Sequence, residues 1–471
     1  MVKSLVIAGT HSGVGKTTIV IGLIAALRAR GLTVQPFKIG PDFIDPSHHT
    51  LAAGRPCRNL DTWMMPPERM MDLCATVARG ADVAVIEGVM GLFDGLGYDD
   101  ETGSTAQVAK LLHAPVLLVI DAAKMARSAA AIATGFQRFD SRAPLAGFLV
   151  NRAGSESHGQ GVAGAIAAAT GLPVLGWLPR DDSLHIPERY LGLVPSAEPG
   201  NWSEFAQAAG KMVAKCIDVD KILGLAGDLP SYCARSKFEC SETDASPRNT
   251  EPTVIAVARD EAFHFCYEEN LTLLKEGGAT LKFFSPLQDS DLPRHTAGIL
   301  LSGGFPELFA ARLSANTGLH QALRAAHAQG LPIYAECGGL MYITEAIVDL
   351  DGRVFQMAGL LPGRSVMTRR LTLGYREARA IASSWLFRKD ETVRGHEFHY
   401  SNWEGRPKNL AAAYDLVPPT GKGEPRGEGA NLGSLWASYI HLHFWGKPEL
   451  ASRFVAACKR RCREPSGTTP A

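Results

Sequence analysis

The nine cysteines include no Cys-x-x-Cys pair, and the nearest spacings, Cys233 to Cys240 and Cys458 to Cys462, do not resemble a zinc site. An odd number of scattered thiols also gives no disulfide framework, which points to a reduced, cytoplasmic setting. Excess charge of one sign is missing: Lys+Arg and Asp+Glu are 48 each, so nothing global attracts nucleic acid or an anionic membrane. Long hydrophobic runs are missing too. The first of them, starting at Leu5, leads straight into a glycine loop and is too short for a signal-peptide core or a membrane span. Nor is there an internal repeat. The partner these absences leave is a small molecule.

What is present is length and apolar content. A chain of 471 residues with 46% hydrophobic side chains suits two to three cored domains, two by default. Through about residue 225, short β-rich runs (Leu5–Ala8, Val83–Glu87, Val116–Asp121, Gly147–Asn151) alternate with alanine-rich helical stretches such as 19–29 and 126–139. That rhythm predicts a parallel sheet wrapped by helices. Residues 227–252 are rich in Ser, Asp, Glu, Pro and Asn, lack apolar periodicity and read as a surface linker. The alternation restarts with Thr253–Ala258, Glu268–Glu276, Leu281–Phe284, Ala297–Leu301 and Leu331–Tyr334. The expected organisation is α/β in two domains: a P-loop parallel-sheet domain over 1–226, the linker, a second α/β domain over 253–462, and a polar tail over 463–471.

The first motif with chemistry is Gly9-Thr-His-Ser-Gly-Val-Gly-Lys-Thr17, between the first strand and the first helix. A loop so placed binds phosphate because its backbone N–H groups converge on the anion and the helix N-terminus adds positive charge. Gly13 and Gly15 let the backbone come close, and Lys16, Thr17 and Thr18 are placed to meet phosphates and Mg²⁺. The spacing departs from the strict Walker pattern, with five residues between Gly9 and Gly15. Glu87 ends a hydrophobic strand, at the sheet edge where ligands gather, and is the best carboxylate for the metal beside Thr17. Asp42, Asp45 and Asp94 lie in turn-like contexts. Each is either a substrate- or phosphoryl-site carboxylate, Asp45 with a further claim on the metal, or a turn and capping aspartate.

The second motif is Tyr334-Ala-Glu-Cys337-Gly-Gly339. A cysteine between a strand and a helix start is exposed on a sharp turn, in a setting that lowers a thiol's pKa and offers backbone donors, Gly338 among them, to an oxyanion. A lone cysteine is more often a small buried apolar residue, and it is the elbow that favours a nucleophile. Its base must come from elsewhere in the sequence. His441 and His443 stand at alternate positions of an expected strand, facing one side, and His396 and His399 compete with them. The Ser302–Glu307 turn, through Gly304, could complete the oxyanion hole or be a tight strand exit.

Taken together, the motifs resemble the cobyrinate a,c-diamide synthases, the glutamine-dependent corrinoid amidotransferases of cobalamin biosynthesis, nearly from end to end. The five-spaced loop resembles that of dethiobiotin synthetase. Lys38–Pro46, Glu87–Gly95, Leu178–Arg180 and Pro187–Pro195 resemble further signatures of the family. The resemblance implies a dethiobiotin-synthetase-like ATPase domain followed by a class I glutamine amidotransferase domain. It implies that ATP, with Mg²⁺, phosphorylates a carboxylate of a cobyrinate-type tetrapyrrole, and that ammonia from L-glutamine displaces the phosphate. Lys38 is then near the phosphates or substrate, Asn151 reads adenine, Cys337 forms a glutamyl thioester and His441 is its base. Where the usual Cys-His-Glu triad has its glutamate, two residues after the histidine, this chain has His443. The third member is absent or comes from elsewhere.

Gly-Pro-Asp-Phe-Ile-Asp-Pro after Lys38 separates the chain from cobyric acid synthase, which has a Gln-Asn-Met pattern there. Hydrogenobyrinate and nickel sirohydrochlorin remain alternative substrates, and a homodimer remains an open assembly. Two other classes are a partitioning-type switch ATPase, which leaves Cys337 and the histidine pairs without a role, and a tetrapyrrole-binding protein with a degenerate glutaminase domain.

Overall fold

A computed structural model of the chain describes residues 1–184, 186–189, 192–198, 200–230, 252–418 and 425–463. Most of the expected linker, the expected tail beyond 463, Cys233, Cys240, Tyr190 and Leu191 lie outside the described residues. The chain divides into two compact units, Met1–Arg235 and Ser236–Ala471.

In the first unit, β1 (Lys3–Gly9), β2 (Val34–Ile39), β3 (Arg58–Leu60), β4 (Val83–Glu87), β5 (Val116–Asp121), β6 (Leu145–Ala153) and β7 (Val174–Pro179) form a parallel sheet in the order β3-β2-β4-β1-β5-β6-β7. Every residue of β2 and β4 is buried, as a sheet covered on both faces requires. The strand order reverses at β1, which opens a crevice at the carboxyl ends of the central strands. Helix α1 (Lys16–Ala29) leaves β1 through the glycine loop. Ile19, Val20, Ile21, Leu23, Ile24 and Leu27 are all buried, because α1 is covered by the sheet on one side and by the helix Trp202–Cys216 on the other.

Helix α2 (Ile44–Ala53) follows β2, and the short pair β8 (Glu188–Arg189) and β9 (Gly192–Leu193) comes from the Pro187–Pro195 signature. The signature is tied to α2: His48 Nε2 lies 2.8 Å from the Val194 carbonyl, and the Ser196 N–H donates to Ser47 Oγ at 2.9 Å. The first two residues read as linker are instead a strand, β10 (Gly227–Asp228). It pairs antiparallel with β1 at Lys3 and Ser4, in the slot left free because β5 begins to pair only at Val6.

Among its described residues, the second unit contains two sheets. In the first, β11 (Thr253–Ala258), β12 (Ala279–Phe284), β13 (Thr296–Leu301) and β14 (Ile333–Glu336) are parallel. The other sheet holds β15 (Ala346–Val348), β16 (Val354–Gln356) and a long hairpin of β17 (Arg364–Ala380) and β18 (Thr392–Glu404), joined by β19 (Tyr414–Val417) and β20 (Arg426–Glu428). The chain then returns through β21 (Ala430–Leu432) to β22 (Leu435–Ser438), parallel to β14, and crosses at Tyr439 into β23 (Ile440–Leu442), antiparallel to β18. The buried Glu428 pins the crossover, accepting the Ser438 hydroxyl at 2.6 Å and the Tyr439 N–H at 2.7 Å. Among the described residues, no helix is long and apolar enough to cross a membrane.

Candidate active site

The glycine loop is shaped by its neighbours. Gly15 has φ +95°, and a Cβ there would fall 2.2 Å from Asn151 Nδ2, so only glycine fits. Asn151 donates to the Val14 carbonyl at 2.9 Å and thus props the loop from the end of β6. His11, Ser12 and Gly13 are exposed while Lys16 is 6% exposed, its ammonium donating to the carbonyls of Met90 at 2.7 Å and His11 at 3.3 Å. Met90 reaches it with a strained φ of +46°. Burial, reinforced by the charge of Lys38, brings Lys16 down to about 8.

Lys38 and Glu87 are register partners on β2 and β4, so their side chains leave the sheet on one face. Lys38 Nζ donates to Asp45 Oδ2 at 2.7 Å, Glu87 Oε1 at 2.9 Å and the Gly88 carbonyl at 3.2 Å. Burial opposes its charge, but Asp45, Glu87 and Asp42 outweigh it and push Lys38 up. Glu87 is fully buried, yet Lys38, His49 and Lys16 overcome that burial and hold its carboxyl well below the usual range. Thr17 Oγ1 donates to Glu87 Oε1 at 2.9 Å, and His49 Nε2 bonds Glu87 Oε2. A hydroxyl and an ionised carboxylate in contact are the oxygen donors a hard cation takes, and they fit Mg²⁺.

The three aspartates separate. Asp45 pairs with Lys38. Asp42 caps α2 through the Ile44 N–H at 2.7 Å and stands 3.9 Å from Lys38; burial and the neighbouring Asp45 push its carboxyl up. Asp94 is exposed and closes a turn by accepting the Gly91 N–H at 2.8 Å. Thr18 lies in the first turn of α1, partly buried. His49 escaped the sequence reading, although its signal was available: Asp45 and His49 are four apart on one helix, hence on one face.

In the second unit Cys337 sits at the elbow with φ +48° and ψ −102°, and its N–H donates to the Ser438 carbonyl at 2.8 Å. Gly303 and Gly304 pack against both halves of the site. A Cβ on Gly303 would fall 2.6 Å from His441 Cε1, and one on Gly338 would fall 2.9 Å from Gly304 N. Gly304 itself, at φ +152°, has the Ala262 carbonyl where a Cβ would be. His441 Nδ1 lies 2.8 Å from Glu336 Oε1. The buried Glu336 has no signal in sequence, because its histidine is 105 residues away.

The expected lowering of the thiol's pKa does not hold. The sulfur is 4% exposed with its residue, and burial, then Glu336 and Glu307, push the thiol well above its ordinary range, against a hydrogen bond from the Gly338 N–H. The following helix, Gly338–Ile343, is one of six residues and does not outweigh burial. The neutral thiol donates to the Phe398 carbonyl at 3.7 Å and needs a base to become a nucleophile.

The competing histidines stand in other surroundings. His443 lies beyond the end of β23, 3.5 Å from Glu269, with its ring tilted 36° to that of Tyr267 at 4.6 Å. His399 bonds the Ser401 carbonyl and Glu397, which also pairs with Arg376 at 2.8 Å and with Arg426. His396 faces His441 across the β18–β23 pair, ring centres 6.4 Å apart. Burial and then His441 push His396 down to about 3; Arg376 and His399 add to this and Glu397 opposes it. The native state therefore keeps His396 neutral where the unfolded chain binds a proton near 6.5, so stability falls as pH drops below that value. The expected loss between pH 7 and pH 5 is about 2 kcal/mol. Urea unfolding at both pH values checks it: His396→Gln should lack that part of the loss, and an unchanged loss would mean the ring is protonated in the fold.

Residues 5–193 match the CobQ/CobB/MinD/ParA nucleotide binding domain, and residues 254–449 match the CobB/CobQ-like glutamine amidotransferase domain. With the parallel P-loop sheet and the cysteine elbow, these matches define an ATP-using amide ligase that takes its nitrogen from glutamine. The chain is 43% identical over 467 residues to the cobyrinate a,c-diamide synthase of Priestia megaterium, covering 98% of each chain. It is 44% identical over 460 residues to that of Dehalococcoides mccartyi, covering 97% of this chain and 98% of the relative, and 42% identical over 464 residues to that of Salmonella typhimurium, with the same coverage. The chain belongs to the cobyrinate a,c-diamide synthase family.

Proposed function

We propose that this chain is a cytoplasmic enzyme that converts the a and c acetate carboxylates of cobyrinate to amides, with ATP as activator and glutamine as nitrogen donor. The observation that carries the reading is the pairing, in one chain matched end to end by cobyrinate a,c-diamide synthases, of a phosphate loop backed by Lys16 and Glu87 with a cysteine elbow backed by His441.

In the first unit the loop amides and Lys16 bind the nucleotide phosphates, and Asn151 lies on the adenosine side. Thr17 and Glu87, with Asp45, would hold Mg²⁺, whose positive charge would offset the negative charge of the phosphates. The substrate carboxylate attacks the γ-phosphorus of ATP and ADP leaves, giving an acyl phosphate. Lys16 neutralises the transferring group, and Lys38 keeps Glu87 ionised and holds Asp45 in place.

In the second unit His441 takes the Cys337 proton and the sulfur attacks the glutamine carboxamide carbon. The same proton leaves with the nitrogen as ammonia, and water then releases glutamate from the thioester and restores the thiol. The Gly338 and Gly304 amides stabilise the oxyanion. Ammonia adds to the acyl phosphate, phosphate departs, and the cycle repeats on the second carboxylate.

Mass spectrometry of cobyrinate, hydrogenobyrinate and nickel sirohydrochlorin, each incubated with the enzyme, ATP, Mg²⁺ and glutamine, tests the reading. Two successive hydroxyl-to-amino replacements on cobyrinate are expected. Conversion of another macrocycle alone would change the substrate, and ATP hydrolysis without conversion of any would leave a switch ATPase.

A further inference from the structure

Glu336 ends β14 immediately before the nucleophile, and both of its oxygens are engaged. Oε1 lies 2.8 Å from His441 Nδ1, while Oε2 accepts the Tyr334 hydroxyl at 2.7 Å and the Leu442 N–H at 3.1 Å. From this geometry we propose that Glu336 is the positioning residue of the glutaminase site, doing from the nucleophile's own strand what a glutamate two residues after the histidine does in the Cys-His-Glu arrangement. The proposal rests on the assignment of Cys337 and His441 made above.

The argument begins with hydrogen-bonding capacity. An ionised carboxylate only accepts, so His441 Nδ1 carries a hydrogen and Nε2 keeps the lone pair that can take the Cys337 proton. One carboxylate then grips the histidine twice, at the ring and at the backbone N–H of the next residue, which fixes the ring's orientation relative to β23. Tyr334, two residues earlier on β14 and so on the same side of the strand, holds the second oxygen. The side chains of Glu336 and His441 are 5% and 1% exposed, so little water competes for these bonds. When the proton moves from sulfur to Nε2, the imidazolium forms beside a negative charge already in place.

The other partners offer no substitute. His443, at the sequence position of the usual glutamate, has Glu269 and the Tyr267 ring beside it. Glu397, another buried carboxylate near the thiol, is shared among Arg376, Arg426 and His399. The pairing of β14 with β22 makes the alternative geometry possible: Glu336 is the register partner of Ser438, and the crossover at Tyr439 brings His441 back over the end of β14.

The test is glutamine hydrolysis by the full-length chain carrying Glu336→Gln, which keeps the shape and removes the charge. The turnover number should fall about 10²- to 10⁴-fold with the KM for glutamine little changed, and alkylation of Cys337 by a chloroketone analogue of glutamine should slow in parallel. Amidation from added ammonia reports that the chain is folded, since that route does not use the thiol. Tyr334→Phe removes one anchor of the carboxylate and should lower the turnover number by about 3- to 10-fold, again without raising KM. Wild-type turnover in Glu336→Gln, in a protein that Cys337→Ala inactivates toward glutamine, overturns the role of Glu336 alone. Glutamine hydrolysis that survives Cys337→Ala overturns the underlying thiol assignment instead. If Glu336→Gln fails to fold, Tyr334→Phe decides: an unchanged turnover number overturns the proposal.

Discussion

Cys337→Ala should lose glutamine-dependent amidation by about 10⁴-fold or more while keeping amidation driven by ATP and a high concentration of ammonia. In the proposed reaction the thiol is the covalent attachment point for the glutamyl group, and no neighbour can replace it. Glu336 and Glu307 repel a nucleophilic anion, and the Ser438 carbonyl holds the turn by accepting the Cys337 N–H. The substitution is small and keeps Cβ, so the elbow at φ +48° retains its geometry apart from the missing sulfur. Parallel assays with the two nitrogen sources separate the outcomes. Loss of both would assign the cysteine to the fold, since only a structural defect reaches a step that does not use the thiol.

Lys16→Met should remove amidation from either nitrogen source, by at least about 10²- to 10³-fold. Methionine fills the buried channel of the lysine stem, so the lost quantity is the charge that meets the transferring phosphoryl group. That charge sits among the carbonyls of Met90 and His11, close to where the glycine loop meets phosphate. Glutamine hydrolysis in the same protein reports on the second unit. ATP-driven amidation persisting in Lys16→Met would remove the lysine from phosphoryl transfer.

The two sites differ in how much of them can be read along the chain. The phosphate loop is local: strand, glycines, lysine and helix start lie within Lys3–Ala29, and the chemistry follows from backbone amides whose directions are set by adjacent torsion angles. Glu87 was legible for a similar reason, as a carboxylate ending a fully apolar strand. His49 and Met90 were not. The first reaches Glu87 across 38 residues, and the second contributes a carbonyl that carries no residue-type signal. The long β17–β18 hairpin also escaped, because charged residues fall on both faces of each strand, so the residue types show no period-two alternation even though every second residue of β18 from Val393 to Ser401 is buried.

The sequence by itself determined the class of chemistry, through a phosphate-binding loop, a cysteine elbow and a short set of candidate histidines. Those features depend on neighbouring residues and their torsion angles. Tertiary structure decided which groups act on one another. It set Lys38 between Glu87 and Asp45, and it raised the thiol's pKa through burial where the motif alone predicted a fall. It also gave His441, one of four candidate histidines, a partner in Glu336 from a strand 105 residues away. Each of these outcomes depends on burial and on pairing between distant strands, and neither is written in the residues adjacent to the group it governs.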